Sequence, residues 1–322
     1  MNPGERAAAC ATRGSGAFSV SVSKTHHRGA ACVQATSWIL HARAREYYWE
    51  GSGQLSIKAF FGGRAHYRVG CGYHAVDESS YLVLNDGQSY SINIQSRQPV
   101  ESFCLFFEKG FAEDVERTLS QKHEVLLDEP DSVATRSIRF FEKNYAHDRT
   151  VSPALFRLRS EYKHYEQGRV IEEFHTIVER LLRVHRRTWG ETDRLDSIRL
   201  ATREELYRRV SRARDYIRAM FAEPVTLAEL ARIACLSPNH LLRNFRKVFG
   251  ETPHQFLTEQ RLQEAKRLLL TSESSVTEIC LACGFESLGS FSSLFRGRYG
   301  FAPSHYRRQK SDFREAGSTP GS

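Results

Sequence analysis

No run in this 322-residue chain approaches the roughly 18–20 consecutive apolar residues needed to cross a bilayer. The stretch from Met1 to Arg28 is rich in Ala, Gly, Ser and Arg and has no apolar h-region, so it does not read as a secretory signal. Residues 1–30 are expected to be a disordered leader, and 311–322, polar with Gly and Pro, a disordered tail. A disulfide framework is missing too. The seven cysteines (Cys10, Cys32, Cys71, Cys104, Cys235, Cys280 and Cys283) are odd in number and scattered, which fits reduced thiols in a cytoplasm. There is no phosphate-cradling Gly-rich loop, and no nucleophile–base pair can be argued from spacing.

Metal chemistry lacks its ligands. Open iron and zinc sites draw on clustered imidazole and carboxylate, yet His66 and His74 stand alone and His26-His27 lies in the leader. Cys280-x-x-Cys283 falls on an expected helix, where packing is the simpler use of both thiols. These absences leave no catalytic residue, metal or cofactor to assign, and the chain is expected not to be an enzyme.

What is present is a globular composition, 40% hydrophobic and 26% charged, long enough for more than one domain. The formal net charge of +8 favours polyanionic partners without choosing nucleic acid over an anionic membrane. From Ser37 to Phe107 the pattern is β. Candidate strands are Leu55–Phe61, Ala65–Val69, Tyr81–Leu84, Tyr90–Ile94 and Phe103–Phe107, with Asn85-Asp-Gly87 supplying hairpin turn chemistry. Short strands with close turns predict a small barrel or sandwich. Beyond Phe107 the period becomes helical. Phe111–Ser120 is one expected helix. Ile171, Phe174, Ile177, Val178, Leu181, Leu182 and His185 mark a second of roughly four turns. Thr188–Asp196 is the expected linker, and a further helix covers about Thr202–Phe221.

Residues 226–306 contain a repeat. Thr226-Leu-Ala-Glu229 and Ser275-Val-Thr-Glu278 both read as capping boxes, 49 residues apart. Past a turn the offset is 50: Leu241, Phe245, Arg246, Phe249, Gly250, Pro253 and Phe256 match Phe291, Phe295, Arg296, Tyr299, Gly300, Pro303 and Tyr306. Each half is a capped short helix, a tight turn and a second capped helix, begun by Ser237-Pro238 in one half and Ser287 in the other. That is helix-turn-helix architecture. Between the halves, Pro253–Leu270 predicts a rod of roughly 27 Å at about 1.5 Å per residue. Such a rod suits the roughly 34 Å between successive turns of a major groove.

In the first recognition helix Leu241, Phe245 and Val248 face inward. Asn239, Leu242, Arg243, Arg246 and Lys247 face outward, with side chains that can read base edges or hold phosphates. A helical scaffold is the alternative, but two repeats are few for a solenoid.

These residues carry a resemblance. Thr226-Leu-Ala-Glu-Leu-Ala231, Leu236-Ser-Pro-Asn-His-Leu241, Phe245-Arg-Lys-Val-Phe-Gly250, Arg261-Leu-Gln-Glu-Ala-Lys-Arg-Leu-Leu269, Ile279-Cys-Leu-Ala-Cys-Gly-Phe285 and Phe291-Ser-Ser-Leu-Phe-Arg296 follow one another over about 100 residues. Residues 208–309 thereby resemble the DNA-binding domain of the AraC/XylS transcription regulators. The resemblance implies seven helices, two helix-turn-helix units joined by one long helix, double-stranded promoter DNA as ligand and RNA polymerase as a frequent partner. The DNA-contacting set it points to is Asn239, His240, Leu242, Arg243, Arg246 and Lys247, then Ser287, Leu288, Gly289, Ser290, Ser292, Ser293 and Arg296. Leu288 and Gly289 depart from the polar or basic readers common at such positions, so the first unit is expected to discriminate sequence and the second to clamp phosphates.

Family members often carry an N-terminal cupin-like barrel that binds an effector, and the β-rich region looks similar. Phe61, Tyr67, Tyr81, Tyr90 and Phe103 are then the candidate effector pocket, with filling of a small β core as the plainer reading. The expected fold is α+β: leader 1–30, cupin-like domain 31–120, helical connector 121–200 and DNA-binding domain 205–310. The apolar stripe of the long helix serves either homodimerisation or packing within the chain. The effector, a small molecule or a protein, is not named by the sequence.

Overall fold

The computed structural model describes residues 17–19, 36–120, 137–195 and 200–308. The tail, and the leader apart from Ala17–Ser19, lie outside them. Residue contacts divide the chain into two compact units at Asp215/Tyr216. The architecture is α+β: an antiparallel, nearly closed sheet with helices, followed by an all-helical unit.

The sheet comprises β1 (Ala17–Ser19), β2 (Trp38–Gly53), β3 (Ser56–Phe61), β4 (Ala65–Val69), β5 (Gly72–Val76), β6 (Ser80–Leu84), β7 (Gln88–Phe106) and β8 (Asn144–Ala146). Its order is β1-β2-β7-β3-β6-β8, with β4 joined to β7 and β5 to β4. The backbone of the barrel is the β2/β7 ribbon, which runs from Trp38↔Phe106 to Gly53↔Gln88 with an irregularity between Ala44 and Glu46. Such a slip bends and twists a ribbon. On its other edge β7 pairs through residues 101–106 with β3 and through residues 91–93 with β4.

Several expectations are revised here. Tyr90–Ile94 and Phe103–Phe107 are parts of one long strand. The strand Trp38–Gly53 lies within the β-patterned region but is not among the candidate strands, because its outward half (Arg45-Glu-Tyr-Tyr-Trp-Glu50) lacks an apolar alternation. Asn85-Asp-Gly87 does turn, with Gly87 at φ +71°, but it joins strands that do not pair with each other. Asn85 instead anchors the turn to a distant segment, its side chain exchanging two hydrogen bonds with the backbone of Phe140.

Because successive strand residues point to opposite faces, the sheet builds two cores. One face carries Ile57, Ala59, Tyr81, Val83, Phe103 and Leu105. It is covered by α1 (Phe111–Ser120), α2 (Ser152–Glu161) and α3 (Gln167–Thr192). The other face, inside the barrel, carries Phe60, Tyr67, Leu82, Leu84, Tyr90, Ile92, Cys104 and Phe106. Burial on both faces explains the near-continuous apolar runs of β3, β6 and the end of β7.

Helix α3 has 26 residues, about seven turns, rather than the four expected. The segment expected as linker is therefore helical as far as Thr192. Thr188 and Thr192 are buried there, and the Trp189 ring meets Phe141 edge-on at 5.3 Å. Tertiary packing has overridden a locally polar sequence. The apolar stripe of α3 (Phe174, Ile177, Val178, Leu181, Leu182) packs into the outer core of its own unit.

The second unit begins within α4 (Leu200–Met220) and continues through α5 (Leu227–Ile233), α6 (Pro238–Phe249), α7 (Pro253–Thr271), α8 (Val276–Ala282) and α9 (Leu288–Tyr299), with residues 303–308 also helical. The short helices start on side-chain caps. The hydroxyls of Thr226, Ser237, Ser275 and Ser287 accept from the backbone N–H groups of Glu229, His240, Glu278 and Ser290. Each such cap contributes about 1 kcal/mol.

Candidate nucleic-acid interface

Both helix-turn-helix units are built on the same backbone plan. In each, the residue ending the turn folds back five positions: Leu236 N–H donates to Ala231 O, and Phe285 N–H to Cys280 O. That return requires a left-handed residue just before it. The second unit uses Gly284 (φ +80°) and the first uses Cys235 (φ +51°), a conformation that side-chain-bearing residues seldom adopt. Gly284 has a further constraint, because a Cβ placed there would lie 2.5 Å from the carbonyl oxygen of Ala222. The recognition helices α6 and α9 both end on left-handed glycines, Gly250 and Gly300 at φ +82° and +83°.

Each recognition helix is seated by one apolar face. Leu241, Phe245 and Val248 are buried in α6, and Phe291 and Phe295 in α9. In the second unit these pack with Leu262, Ala265 and Leu269 of α7 and with Ile279, Cys280, Cys283 and Phe285. The Cys280/Cys283 pair is thus part of an apolar core, and burial pushes the Cys283 thiol up to about 12. No group of three or more His, Cys, Asp or Glu side chains able to hold a metal occurs among the described residues.

Of the thirteen residues expected to meet DNA, Asn239, Leu242, Arg243, Arg246, Ser287, Leu288, Gly289, Ser290, Ser293 and Arg296 are exposed. His240, Lys247 and Ser292 are half-buried. The arginines divide by partner. Arg243, Arg246 and Arg296 have no ion pair or hydrogen bond with any described residue. Other arginines of the same unit are committed. Arg298 makes a two-pronged pair with Glu259 (2.8 and 3.0 Å). Arg267 does the same with Glu264. Arg261 donates to the carbonyls of Phe221 and Glu223. Positive charge that is neutralised elsewhere is left open on the outward faces of α6 and α9.

One local expectation changes. Ser275 and Glu278 form a complete capping box, but Thr226 and Glu229 form only half of one. Glu229 instead accepts a 2.6 Å hydrogen bond from the Tyr216 hydroxyl. Sequence reasoning also did not place Gly297, Gly300 or Ala302 at the site, although Gly300 was matched to Gly250 in the repeat. With Ser292, Ser293 and Arg296 they line a concavity of about 570 Å³ beside α9. The small residues and the glycine C-cap were the signal available for it.

The effector-pocket residues do not converge. Phe61, Tyr81 and Phe103 face the outer core under the helices, whereas Tyr67 and Tyr90 point into the barrel. The reason is strand parity: Tyr81 and Phe103 both sit opposite Ala59, an outward position of β3. A cavity of about 760 Å³ does exist in this unit, outside the barrel, lined by Phe140, Leu182, His185, Trp189 and Arg208 among others. Burial pushes the His185 imidazole down to about 4, and the ring accepts a 3.0 Å hydrogen bond from Trp189 Nε1.

The paired caps, left-handed turns and outward-facing cations define a double helix-turn-helix unit. A family profile described as a helix-turn-helix domain matches residues 230–309. LumQ of Photobacterium leiognathi, a probable transcriptional regulator, is 33% identical over 93 residues, 29% of this chain and 38% of its own. The regulator ArgR of Pseudomonas aeruginosa is 36% identical over 92 residues, 29% of this chain and 28% of its own. The crystallised DNA-binding domain of AdpA, in complex with a target DNA, shares 32% identity over 33% of this chain and 96% of that one, with a TM-score of 0.32. The chain thus spans only about 28–38% of the length of these curated relatives. The C-terminal region is a helix-turn-helix domain of the AraC/XylS type. Among the described residues no helix is long and apolar enough to cross a membrane.

Proposed function

We propose that this chain is a cytoplasmic, sequence-specific transcription regulator that grips promoter DNA with both helix-turn-helix units in successive major grooves. The observation that carries this is the selective exposure of unpaired Arg243, Arg246 and Arg296 on two recognition helices whose other faces are sealed into core. Asn239 and Arg243 are the base readers, with Leu242 offering apolar contact and His240, Arg246 and Lys247 beside them. Ser287, Ser290, Ser292, Ser293 and Arg296 hold backbone phosphates, while Leu288 and Gly289 add shape and apolar contact only. The organisation read from the sequence is a leader 1–30, a cupin-like domain 31–120, a connector 121–200 and a DNA-binding domain 205–310; the sheet also takes in β1 (Ala17–Ser19) and β8 (Asn144–Ala146), and the first compact unit runs on to Asp215. The barrel is a sensory domain whose effector modulates DNA binding. RNA polymerase and a second copy of the chain are its protein partners, and the protein performs no catalysis.

The test is selection of bound duplexes from a random pool by the full chain, followed by affinity against salt. The reading expects an enriched motif spanning two adjacent major grooves and a steep salt slope. A steep slope without a motif would leave a non-specific basic binder. Absence of binding would remove the DNA reading altogether.

A further inference from the structure

The two helix-turn-helix units share one rod, α7, and its two halves belong to different cores. At one end Phe256 and Leu257 are buried, with the Phe256 ring edge-on to Phe245 of the first recognition helix at 6.0 Å. At the other end Leu262, Ala265 and Leu269 lie in the core that seats α9. Between them Thr258, Glu259, Gln260 and Arg261 make about one turn in which every residue is only half-buried. Long helices are rarely straight, and a bend at this turn would change the distance and angle between α6 and α9.

Arg261 braces that turn. Its Nε donates to Phe221 O at 2.7 Å and its Nη2 to Glu223 O at 3.0 Å. Both carbonyls lie just past the end of α4, where a helix leaves its carbonyls without helical partners, on the segment that leads into α5 of the first unit. The carbonyl between them, of Ala222, approaches Gly284 of the second unit so closely that a Cβ there would lie 2.5 Å away. The Arg261 guanidinium also lies 5.9 Å from the ring centroid of Phe285, the next residue of that turn. Burial pushes the guanidinium below its ordinary value, against the nearby Glu286 carboxylate, which raises it. Arg261 therefore meets three elements at once: the middle of the rod, the entry to the first unit and the turn of the second.

We propose that Arg261 is the positioning residue for half-site spacing: its fork on the Phe221 and Glu223 carbonyls, closed by the approach of Gly284 to Ala222, fixes the separation of the two recognition helices and so the number of base pairs tolerated between two half-motifs. The inference rests on the reading that both units dock in successive major grooves, and it names the residue that sets their register. Arg261 does not belong to the DNA-contacting set and acts by holding α6 and α9 in place. One base pair more or less displaces the second half-motif by about 3.4 Å and rotates it by about 35°. A braced domain cannot follow that step, and an unbraced one can. Specificity is a difference of affinities, so the effect falls on the ratio between spacings and not on affinity as such.

The experiment uses the full chain and the duplex it enriches from a random pool, with derivatives carrying one base pair inserted or removed between the half-motifs. The parent chain should prefer its own spacing over either derivative by roughly tenfold or more. In Arg261→Ala that ratio should fall to about threefold or less, with only a few-fold loss on the parent spacing. Arg261→Lys keeps the charge but loses the planar fork that spans two carbonyls, and should give an intermediate ratio. Arg267→Ala removes an arginine whose pair with Glu264 lies within α7, and should leave the ratio unchanged. Equal loss at every spacing in Arg261→Ala would make Arg261 a residue of stability alone and overturn the proposal while leaving the two-groove reading intact. If the alanine variant does not fold, the parent ratio retained in Arg261→Lys overturns it in the same way. A ratio that falls as far in Arg267→Ala as in Arg261→Ala would also overturn it, since any loss of charge on the rod would then suffice. A parent chain that enriches a motif confined to one groove would remove the two-groove reading itself, and the proposal with it.

Discussion

The two helix-turn-helix units share a backbone and differ in what they present. Both start their recognition helix on a serine cap, end it on a left-handed glycine and bury two aromatic or aliphatic anchors in register. Outward, α6 offers Asn239, Arg243, Arg246 and Lys247, whereas α9 offers Leu288, Gly289, three serines (Ser290, Ser292 and Ser293) and a single outward arginine without a partner among the described residues. The comparison separates two demands on sequence. Caps, turns and buried anchors are set by folding and recur in both halves. The exposed positions answer to the ligand and have diverged. On the proposed reading, a unit stripped of readers but retaining every folding device serves phosphate anchoring, which requires docking without base readout.

The largest effect should come from testing the turns. Gly284→Ala adds a Cβ against the Ala222 carbonyl at a positive φ, and should cost the second unit about 3 kcal/mol or more in chemical denaturation. Cys235→Gly, at the corresponding place in the first unit, relieves a positive-φ side chain and should be neutral or slightly stabilising. Equal losses at both positions would show that the two turns are not equivalent in the way their hydrogen bonds suggest.

Next in size is the division of labour. Arg243→Ala is expected to lose about 1–3 kcal/mol on the selected site and to broaden base preference at one position. Arg296→Ala should weaken selected and random duplexes alike and lower the salt slope by about 1. Binding to a panel of single-base variants across a salt series distinguishes the two. A shift of base preference in both variants would break the reader-and-anchor distinction.

How much of this was legible before the structure follows the same divide. The repeat was readable because caps, glycines and helical period are local signals, recorded within a few residues of where they act. Phe245 and Phe295 announce their burial by spacing alone. In the barrel the decisive facts are non-local. Whether Tyr81 faces inward depends on its register against Ala59, more than twenty positions away, and a shift of one residue reverses every face. Four of the five aromatics (Tyr67, Tyr81, Tyr90 and Phe103) are buried and Phe61 is half-buried, but the sequence could not sort them between two cores. Lys58, buried on β3, was missed because a lysine within an apolar strand normally marks a solvent-facing position, and only the curling of the sheet around that face hides it from water. The half-formed capping box at Thr226 failed for a like reason, since Glu229 found a partner in Tyr216, outside the motif.

That last difference gives a finer test. Glu278→Ala removes a carboxylate that accepts from the Ser275 N–H and favours the start of α8, so the second unit should lose about 0.5–1 kcal/mol. In the first unit the corresponding loss should come through the tyrosine. Tyr216→Phe and Glu229→Ala should each cost about 1 kcal/mol, and the double variant little more than either alone. Additive losses in urea titrations of the two single variants and the double would show that Glu229 acts on the helix start independently of Tyr216.

The smallest expected effect is specific to the second unit. Arg298 of α9 clasps Glu259 of α7, while the position fifty residues earlier is Val248, buried in the first core. The first recognition helix is thus held by apolar packing where the second is held by an ion pair. The hydrogen bond from Arg298 keeps the Glu259 carboxyl below its ordinary value of 4.5, with the neighbouring Gln263 amide adding to it. A carboxylate depressed in the folded state contributes stability that is fully present above its unfolded value and is lost as the pH falls through the folded one. Melting of the wild-type chain should therefore weaken slightly more than that of Glu259→Gln on acidification below about 4.5, and the two should differ little at neutral pH in high salt. The pair is partly exposed, so the difference should stay under about 1 kcal/mol. A much larger gap would mean that the ion pair, and not the Phe291 and Phe295 anchors, seats the second recognition helix.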